Sequence, residues 1–221
     1  MSKIKMQERI VLEKIKAFKN RPFGSVRADS QFKGMDYSII LLTAECAKDT
    51  RIMELLGRWR KENENWYLSQ FEVTTERTTK WFIDKLTNVP DRLLFIIKSG
   101  SDYVGHVGLF RFNFNEATCE IDNILRGENK YPGIIGSAII EMMKWGAANL
   151  GLEGYTLKVL SDNPRAIRLY EKIGYVETMR IPLIRIQGKD GLEWTEAPDG
   201  YKGPVTREYV TMTLKDKAVL V

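Results

Sequence analysis

The sequence has few of the residues that build disulfides and metal sites. It contains two cysteines and one histidine among 221 residues. Cys46 and Cys119 lie far apart and show no C-x-x-C spacing, which argues against a disulfide framework and against a zinc site. We therefore expect no bound metal, and this cysteine usage favours a reducing cytoplasm.

Long apolar runs and basic tracts are also missing. The apolar runs, such as that around residues 39–42, are far shorter than the ~20 residues of a membrane-spanning helix. The first twenty residues, "MSKIKMQERIVLEKIKAFKN", mix charged with apolar residues and are unlike a signal peptide. No Lys/Arg-rich run carries interleaved aromatic residues, so we expect neither a membrane span nor a nucleic-acid partner. The net charge of +5 suits an anionic ligand.

The N-terminal 34 residues are predicted to be an extension, and residues 35–221 to be the main domain. Apolar residues at helical spacing predict an amphipathic helix over residues 3–19. Residues 21–34, with one proline and two glycines, are predicted to be a loop. Three interpretations of the helix are open: it docks on the main domain, pairs with a second subunit in a homodimer, or meets an anionic surface.

The rest of the chain alternates between helical and strand patterns. The first half is expected to contain a strand at 38–43, helices at 50–63 and 75–86, and strands at 93–97, 103–112 and 118–125. A helix at 136–149, a strand at 154–160 and a helix at 164–173 follow. A strand from 175, which a "KDG" turn folds into a hairpin, and a strand at 208–214 come last. This order predicts an α/β mixed sheet with helices on both faces. The crossover from 118–125 to 154–160 makes those two strands parallel. It also leaves a helix start beside the loop "RGENKYPGIIG", which is a phosphate-binding arrangement.

A short motif near residue 170 carries a family resemblance. In "NPRAIRLYEKIGY", residues 163–175, five positions match one pattern in register: Asn163, Ala166, Tyr170, Gly174 and Tyr175. On this motif and on element order over residues 38–180, the sequence resembles the GNAT superfamily of N-acetyltransferases. The resemblance implies a mostly antiparallel sheet with one splayed parallel pair. It also implies acetyl-CoA as co-substrate, and direct attack of an acceptor amine on the thioester.

The resemblance also points to the residues that hold acetyl-CoA. "KYPGIIGSAI", residues 130–139, is similar to the family's pyrophosphate loop, with Gly136 as its last glycine and Ser137 at the helix start. The middle glycine position falls on Ile134 or, in a shorter loop, on Gly133. No arginine or glutamine leads the motif, where Lys130 or Tyr131 stands. The implied cofactor-binding set is Ile124, Leu125, Arg126, Gly133, Ile135, Gly136, Ser137, Asn163, Ala166 and Tyr170, in which the strand residues 124–126 act through backbone N–H groups.

Tyr170 is the candidate acid. The resemblance places its hydroxyl beside the sulfur, where it protonates the departing thiolate. The structural alternative is that Tyr170 packs on the sheet with Ile167 and Ile173. Asn163 either holds the pantetheine arm or is a turn residue that begins the helix before Pro164.

Three residues are candidate bases. Glu120 and Asp122 lie two apart on a strand, so both side chains point to one face unless a bulge intervenes. Either carboxylate can take a proton from the amine, and the match of "CEIDN" to the family's acidic position favours Glu120. The alternative is that one of them pairs with an arginine or lysine. His106 is a secondary candidate, with a purely structural role as its alternative.

The segment "NENWYLSQF", residues 63–71, and the helix after it occupy the region that shapes the acceptor pocket in this family. The candidate substrate-binding residues are Trp66, Tyr67, Gln70, Phe71 and Trp81, and the alternative for each aromatic is a hydrophobic core between two helices. "EWTEAPDGYKGP" is expected to form a loop over the same pocket.

The expected partner is a small-molecule amine. A looser resemblance favours an amino sugar on a nucleotide carrier as the acceptor. The alternatives are a protein N-terminus, a polyamine, or a non-catalytic acyl-CoA-binding module.

Overall fold

A computed structural model describes residues 3–188 and 191–220. Its strands are β1 (Arg27–Phe32), β2 (Met35–Leu41), β3 (Leu93–Ser99), β4 (Asp102–Asn113), β5 (Thr118–Arg126), β6 (Gly154–Leu160), β7 (Tyr175–Gln187), β8 (Leu192–Glu196) and β9 (Arg207–Leu214). Its α-helices are α1 (Lys3–Lys19), α2 (Thr50–Glu62), α3 (Thr75–Trp81), α4 (Ile134–Leu150) and α5 (Pro164–Ile173). Among these described elements, no helix combines the length and the apolar character needed to cross a bilayer.

One sheet contains all nine strands in the order β1-β2-β3-β4-β5-β6-β9-β7-β8. The β5–β6 pair is parallel and the other neighbouring pairs are antiparallel. A crossover helix, α4, joins β5 to β6, which is what a parallel pair requires. The predicted fold class, a mixed sheet with one parallel pair, is confirmed.

Helices cover both faces of the sheet. On one face, α1, α4 and α5 contribute to a cluster that includes Ile15, Met142 and Tyr170. On the other face, α2 and its neighbours form a second cluster around Trp59, which is fully buried. The central strand β3 reads "LLFII" at its start because its residues are buried on both faces of the sheet.

The N-terminal region differs from the prediction in one respect. The predicted loop at 21–34 is wrong in its second half, because Arg27–Phe32 forms a strand that pairs with β2 through a turn at Lys33 and Gly34. This strand lies at the sheet edge and its residues alternate between exposed and half-buried, so the sequence offers little apolar signal.

Helix α1 packs against the body of the protein. Val11 and Ile15 are buried in the first cluster. The Lys19 ammonium donates hydrogen bonds to the carbonyl oxygens of Leu86, at 2.8 Å, and Val89, at 2.5 Å. Burial lowers the pKa of Lys19 to about 8. This packing is what the docking interpretation expects, whereas the division of the chain at residue 34 stays a prediction.

Two other segments depart from the expected elements. The predicted helix at 75–86 is α-helical only as far as Trp81 and continues as a π-helical turn, Phe82–Thr87. β8 pairs with β7 as the predicted hairpin, and its residues 193–196 take up the start of the segment 193–204 that was expected to be a loop. Lys189 and Asp190 of the predicted "KDG" turn lie outside the described residues.

Candidate active site

A groove of about 1240 Å³ opens where β5 and β6 separate. Their pairing ends at Ile121 opposite Leu157, although β5 continues to Arg126 and β6 to Leu160. The ends of β5 and β6, which no longer pair with each other, line the groove. The parallel pair is therefore splayed, as the resemblance implies.

A bulge in β5 accompanies this separation. The register between β4 and β5 shifts between His106 and Gly108, and Asn123 has a positive φ of 47°. The Nδ1 atom of His106 lies 2.6 Å from the carbonyl oxygen of Asn123, so the imidazole holds the bulge. Residues 124–126, which follow the bulge, lose their β6 partners and line the groove.

The start of α4 forms part of the groove, as expected. Gly133 caps the helix with a φ of 92°, and a Cβ atom there would lie 2.8 Å from the Phe32 ring. Ile134 is fully buried, so Gly133 rather than Ile134 presents its backbone to the groove. The backbone N–H of Ile135 has no hydrogen-bond partner within the described chain, whereas that of Gly136 bonds to the Gly133 carbonyl at 3.1 Å.

Three residues in or near this loop have their side chains engaged elsewhere. The Lys130 ammonium and the Tyr131 hydroxyl contact the Asp102 carboxylate at 2.7 and 2.6 Å. The pKa of Asp102 is lowered to about 2, and the hydrogen bond from Lys130 contributes most to this lowering. The Ser137 hydroxyl lies 2.8 Å from the Tyr37 hydroxyl on β2, and its side chain is not part of the groove lining.

Helix α5 begins at the groove for a local reason. The Asn163 side chain accepts a hydrogen bond from the Ala166 N–H at 3.1 Å, Pro164 occupies the first helical position, and Gly174 ends the helix with a φ of 102°. Asn163 and Ala166 both line the groove. Asn163 therefore caps the helix, as one of its two proposed roles expects, and it also lines the groove.

Tyr170 lies with its ring buried and also lines the groove. Its ring packs edge-on against Tyr175, with 6.3 Å between the ring centroids. Within the described chain its hydroxyl has no hydrogen-bond partner. The hydroxyl oxygen is also not fully enclosed by the protein. Burial raises the pKa of Tyr170, so the hydroxyl keeps its proton and is available as a donor toward the groove.

The two candidate carboxylates share the face of β5 that lines the groove. Glu120 is held by Arg111 at 2.9 Å, and Asp122 by Arg92 at 2.5 Å. Burial raises the pKa of Asp122 to about 6, against the opposing effect of Arg92. One oxygen of Asp122, Oδ1, is buried without a hydrogen-bond partner in the described residues. This environment favours Asp122 over Glu120 as a proton acceptor near neutral pH, and both assignments stay predictions.

His106 is buried and contributes to the groove lining. Burial lowers its pKa to about 4, so the neutral ring is the stable form and a weak base. The bond to the Asn123 carbonyl favours the structural alternative for this residue.

A second set of lining residues consists mainly of aromatic side chains, and we call it the aromatic wall. It comprises Trp66, Tyr67, Phe71, Trp81, Phe110, Trp194 and Tyr209. The Arg60 guanidinium lies 3.7 Å from the centroid of the Tyr67 ring and 4.9 Å from that of Phe71. Tyr67 and Trp81 also pack against the second core cluster, so the pocket and core interpretations both hold for them.

Gln70 is not among the groove residues, although its neighbours Ser69 and Phe71 are. The segment pairs with β8, since the Gln70 N–H bonds to the Leu192 carbonyl at 3.0 Å and the Trp194 N–H bonds to the Leu68 carbonyl at 2.7 Å. This pairing carries Trp194 of β8 to the groove.

Sequence reasoning missed several groove residues that come from separate elements. They are Arg60, Arg92, Arg111, Lys158, Arg165, Trp194, Glu196 and Tyr209. Only the segment around Trp194 carried a signal, since it was expected to lie over the pocket. The others are ordinary surface residue types in the sequence and become groove residues only through long-range packing.

The structure describes no cluster of three or more His, Cys, Asp or Glu side chains that could hold a metal ion in the ranges 3–188 and 191–220. Cys46 and Cys119 are buried free thiols.

Comparisons with known proteins agree with this geometry. A solved spermidine N-acetyltransferase from Vibrio cholerae, in complex with CoA and spermine, superposes with a TM-score of 0.61 at 15% identity, over 84% of this chain and 98% of that one. A chimera of the Vibrio cholerae enzyme SpeG with hSSAT gives 0.59 at 15% identity, over 88% and 97%. In sequence, the spermidine N(1)-acetyltransferase of Vibrio cholerae serotype O1 is 23% identical over 129 residues, 58% of this chain and 74% of the relative.

These relatives do not support the expected nucleotide-linked amino sugar, because all three are spermidine acetyltransferases or derived from one. The model of the acetyltransferase (GNAT) domain matches residues 40–176, which is more than half of the chain. The chain therefore belongs to the GNAT acetyltransferases and is an acetyl-CoA-dependent N-acetyltransferase.

Proposed function

We propose that this protein transfers an acetyl group from acetyl-CoA to a primary amine of a small molecule, with Tyr170 and Asp122 handling the protons. The observation that supports it best is the lining of one groove. It joins the splayed ends of β5 and β6, the start of α4, the Tyr170 hydroxyl and a buried carboxylate.

The residues present fit the acyl donor. The unpaired N–H of Ile135 and the positive end of α4 can bind a diphosphate, and the β5 backbone beyond the bulge offers peptide groups to an extended arm. Acetyl-CoA supplies the thioester carbonyl that the amine attacks. A peptide N–H of residues 124–126 that faces the groove can hydrogen-bond the oxygen of that carbonyl.

Two side chains complete the proton transfers. Asp122 accepts a proton from the ammonium group of the acceptor, which leaves the neutral amine that can attack. Tyr170 donates a hydrogen bond from its hydroxyl to the departing sulfur. Because its pKa is raised, Tyr170 acts mainly by stabilising the thiolate. The second proton, which the nitrogen loses as the amide forms, passes to that thiolate, so CoA leaves as the free thiol.

For the acceptor, the first candidate is a polyamine. The relatives named above act on spermidine. The groove also combines the carboxylates of Glu120, Asp122 and Glu196 with an aromatic wall, and aromatic faces attract ammonium groups.

A second candidate is an amine that also carries a negative group. Each of those carboxylates already pairs with a cation, with Glu196 bound to Lys158 at 2.8 Å. Arg60 has no carboxylate partner in the described residues, and its Nη1 atom is buried without a hydrogen bond. An unmatched buried cation favours an anionic substituent on the acceptor.

A thiol-release assay with acetyl-CoA tests the function. The panel contains polyamines, amino acids, amino sugars and peptide N-termini, and reactions without the amine or without the protein measure background hydrolysis. We expect turnover with at least one small amine. Binding of CoA without turnover for any amine would instead identify a non-catalytic acyl-CoA-binding module.

A further inference from the structure

Two arginines face the same groove from different elements. Arg126 is the last residue of β5, and Arg165 is the second residue of α5. Both line the groove together with Gly133 and Gly136 of the α4 start. Arg165 is exposed and Arg126 is half-buried, so both guanidinium groups are accessible to a ligand.

Neither arginine has an anionic partner. Within the described ranges, Arg126 and Arg165 make no ion pair and no side-chain hydrogen bond. Arg92 and Arg111 in the same groove, by contrast, are each paired with a carboxylate. Burial and then the charge of Arg165 lower the pKa of Arg126, as expected for two cations that face one groove. A ligand with several negative charges would relieve this repulsion.

The loop before α4 lacks a cation that is free to bind phosphate. The family pattern begins with arginine or glutamine, whereas this chain has Lys130 and Tyr131, and both contact Asp102. The Asp102 carboxylate compensates the Lys130 charge. The donor nevertheless carries a diphosphate and a 3′-phosphate, which need a cation in an accessible groove.

We propose that the side chains of Arg126 and Arg165 form a clamp that binds the phosphate groups of the acyl donor and replaces the cation missing from the loop. The inference rests on the proposed function, because it assigns residues to the donor site of that reaction. The planar guanidinium group suits this role, since it can form two parallel hydrogen bonds to one phosphate.

Calorimetric titration of the full-length protein with CoA and with 3′-dephospho-CoA tests the clamp. The variants are Arg126→Gln, Arg165→Gln and the double substitution. Arg168→Gln is the matched control, because Arg168 lies on the same helix, is exposed and does not line the groove. Thermal unfolding of each variant reports whether the fold is intact.

We expect each single variant to bind CoA about tenfold more weakly, the double variant more weakly still, and Arg168→Gln as wild type. The dependence of CoA affinity on salt should also be shallower in the clamp variants, which a purely structural effect would not produce. A loss seen equally with 3′-dephospho-CoA places the clamp on the diphosphate, and a loss confined to CoA places it on the 3′-phosphate. Both results support the proposal.

CoA affinity of the folded double variant within twofold of wild type would overturn the clamp and leave the acetyltransferase function intact. An equal loss in Arg168→Gln would also overturn it. Failure of the wild-type protein to bind CoA at all is the different result that would count against the proposed function itself.

Discussion

The groove has two kinds of wall, and they are built differently. The wall formed by the end of β5 and the starts of α4 and α5 consists largely of backbone: a bulge, a helix start without side-chain capping and a glycine with positive φ. The aromatic wall consists of side chains from the segment after α2, α3, β4, β8 and β9. The first wall can bind a ligand with constant chemistry, such as a diphosphate, whereas the second can change with a few substitutions.

This difference explains why the acetyl donor was recognisable and the acceptor was not. A peptide group binds phosphate whatever side chain it carries, provided that glycines and caps give the chain the right path. These glycines and caps lie close together in sequence, at residues 133–136 and 163–174. The aromatic wall has no such local signature, because its residues are separated by up to about 140 positions.

Replacing Tyr170 by phenylalanine should have the largest effect on catalysis. The substitution removes one hydrogen-bond donor to the leaving sulfur, so kcat should fall about 10- to 1000-fold while CoA affinity stays near wild type. Steady-state kinetics and calorimetry measure the two quantities. Tyr175→Phe is the matched control, because the Tyr175 hydroxyl is buried against the sulfur of Met143 and does not line the groove. An unchanged kcat in Tyr170→Phe would remove this hydroxyl from the mechanism.

The pH profile should distinguish the two carboxylates. The pKa of Asp122 is raised to about 6, and a base works only in its ionised form. With Asp122 as the base, kcat/KM should rise about tenfold per pH unit below pH 6 and level off above it.

Glu120→Gln sharpens this test. The charge of Glu120 contributes to raising the pKa of Asp122, so this variant should keep its activity and move the inflection to slightly lower pH. Loss of activity in Glu120→Gln at every pH would assign the base to Glu120 instead.

A substitution in the aromatic wall should have the smallest effect and should act on the amine alone. Trp194→Ala removes one aromatic face, so KM for the amine should rise about 3- to 10-fold, with the affinity for CoA unchanged. Initial rates at varied amine and fixed acetyl-CoA measure this change. Tyr201→Ala, an exposed aromatic outside the groove, should leave both constants unchanged. A parallel loss of CoA affinity in Trp194→Ala would show that the two walls are not independent.

Much of the fold could be predicted because its signals are local. Helix α5 has its cap, its proline and its terminal glycine within twelve consecutive residues, and its bounds agree with the prediction. β1 was missed because an edge strand of polar residues, "RADSQF", lacks the apolar pattern by which buried strands are recognised. The bounds of β8, the second strand of the predicted hairpin, were missed for a similar reason, since its residues are at most half-buried.

The sequence by itself determined the family resemblance, the parallel strand pair and the bounds of α5, because capping, glycine conformation and apolar periodicity act over a few residues. Only the tertiary structure decided which charged side chains pair with each other. It placed Arg92 against Asp122 and Lys130 against Asp102, and it left Arg126 and Arg165 without anionic partners. These two pairings join residues 30 and 28 positions apart. They therefore depend on which strands and helices meet, and no local sequence pattern encodes such meetings.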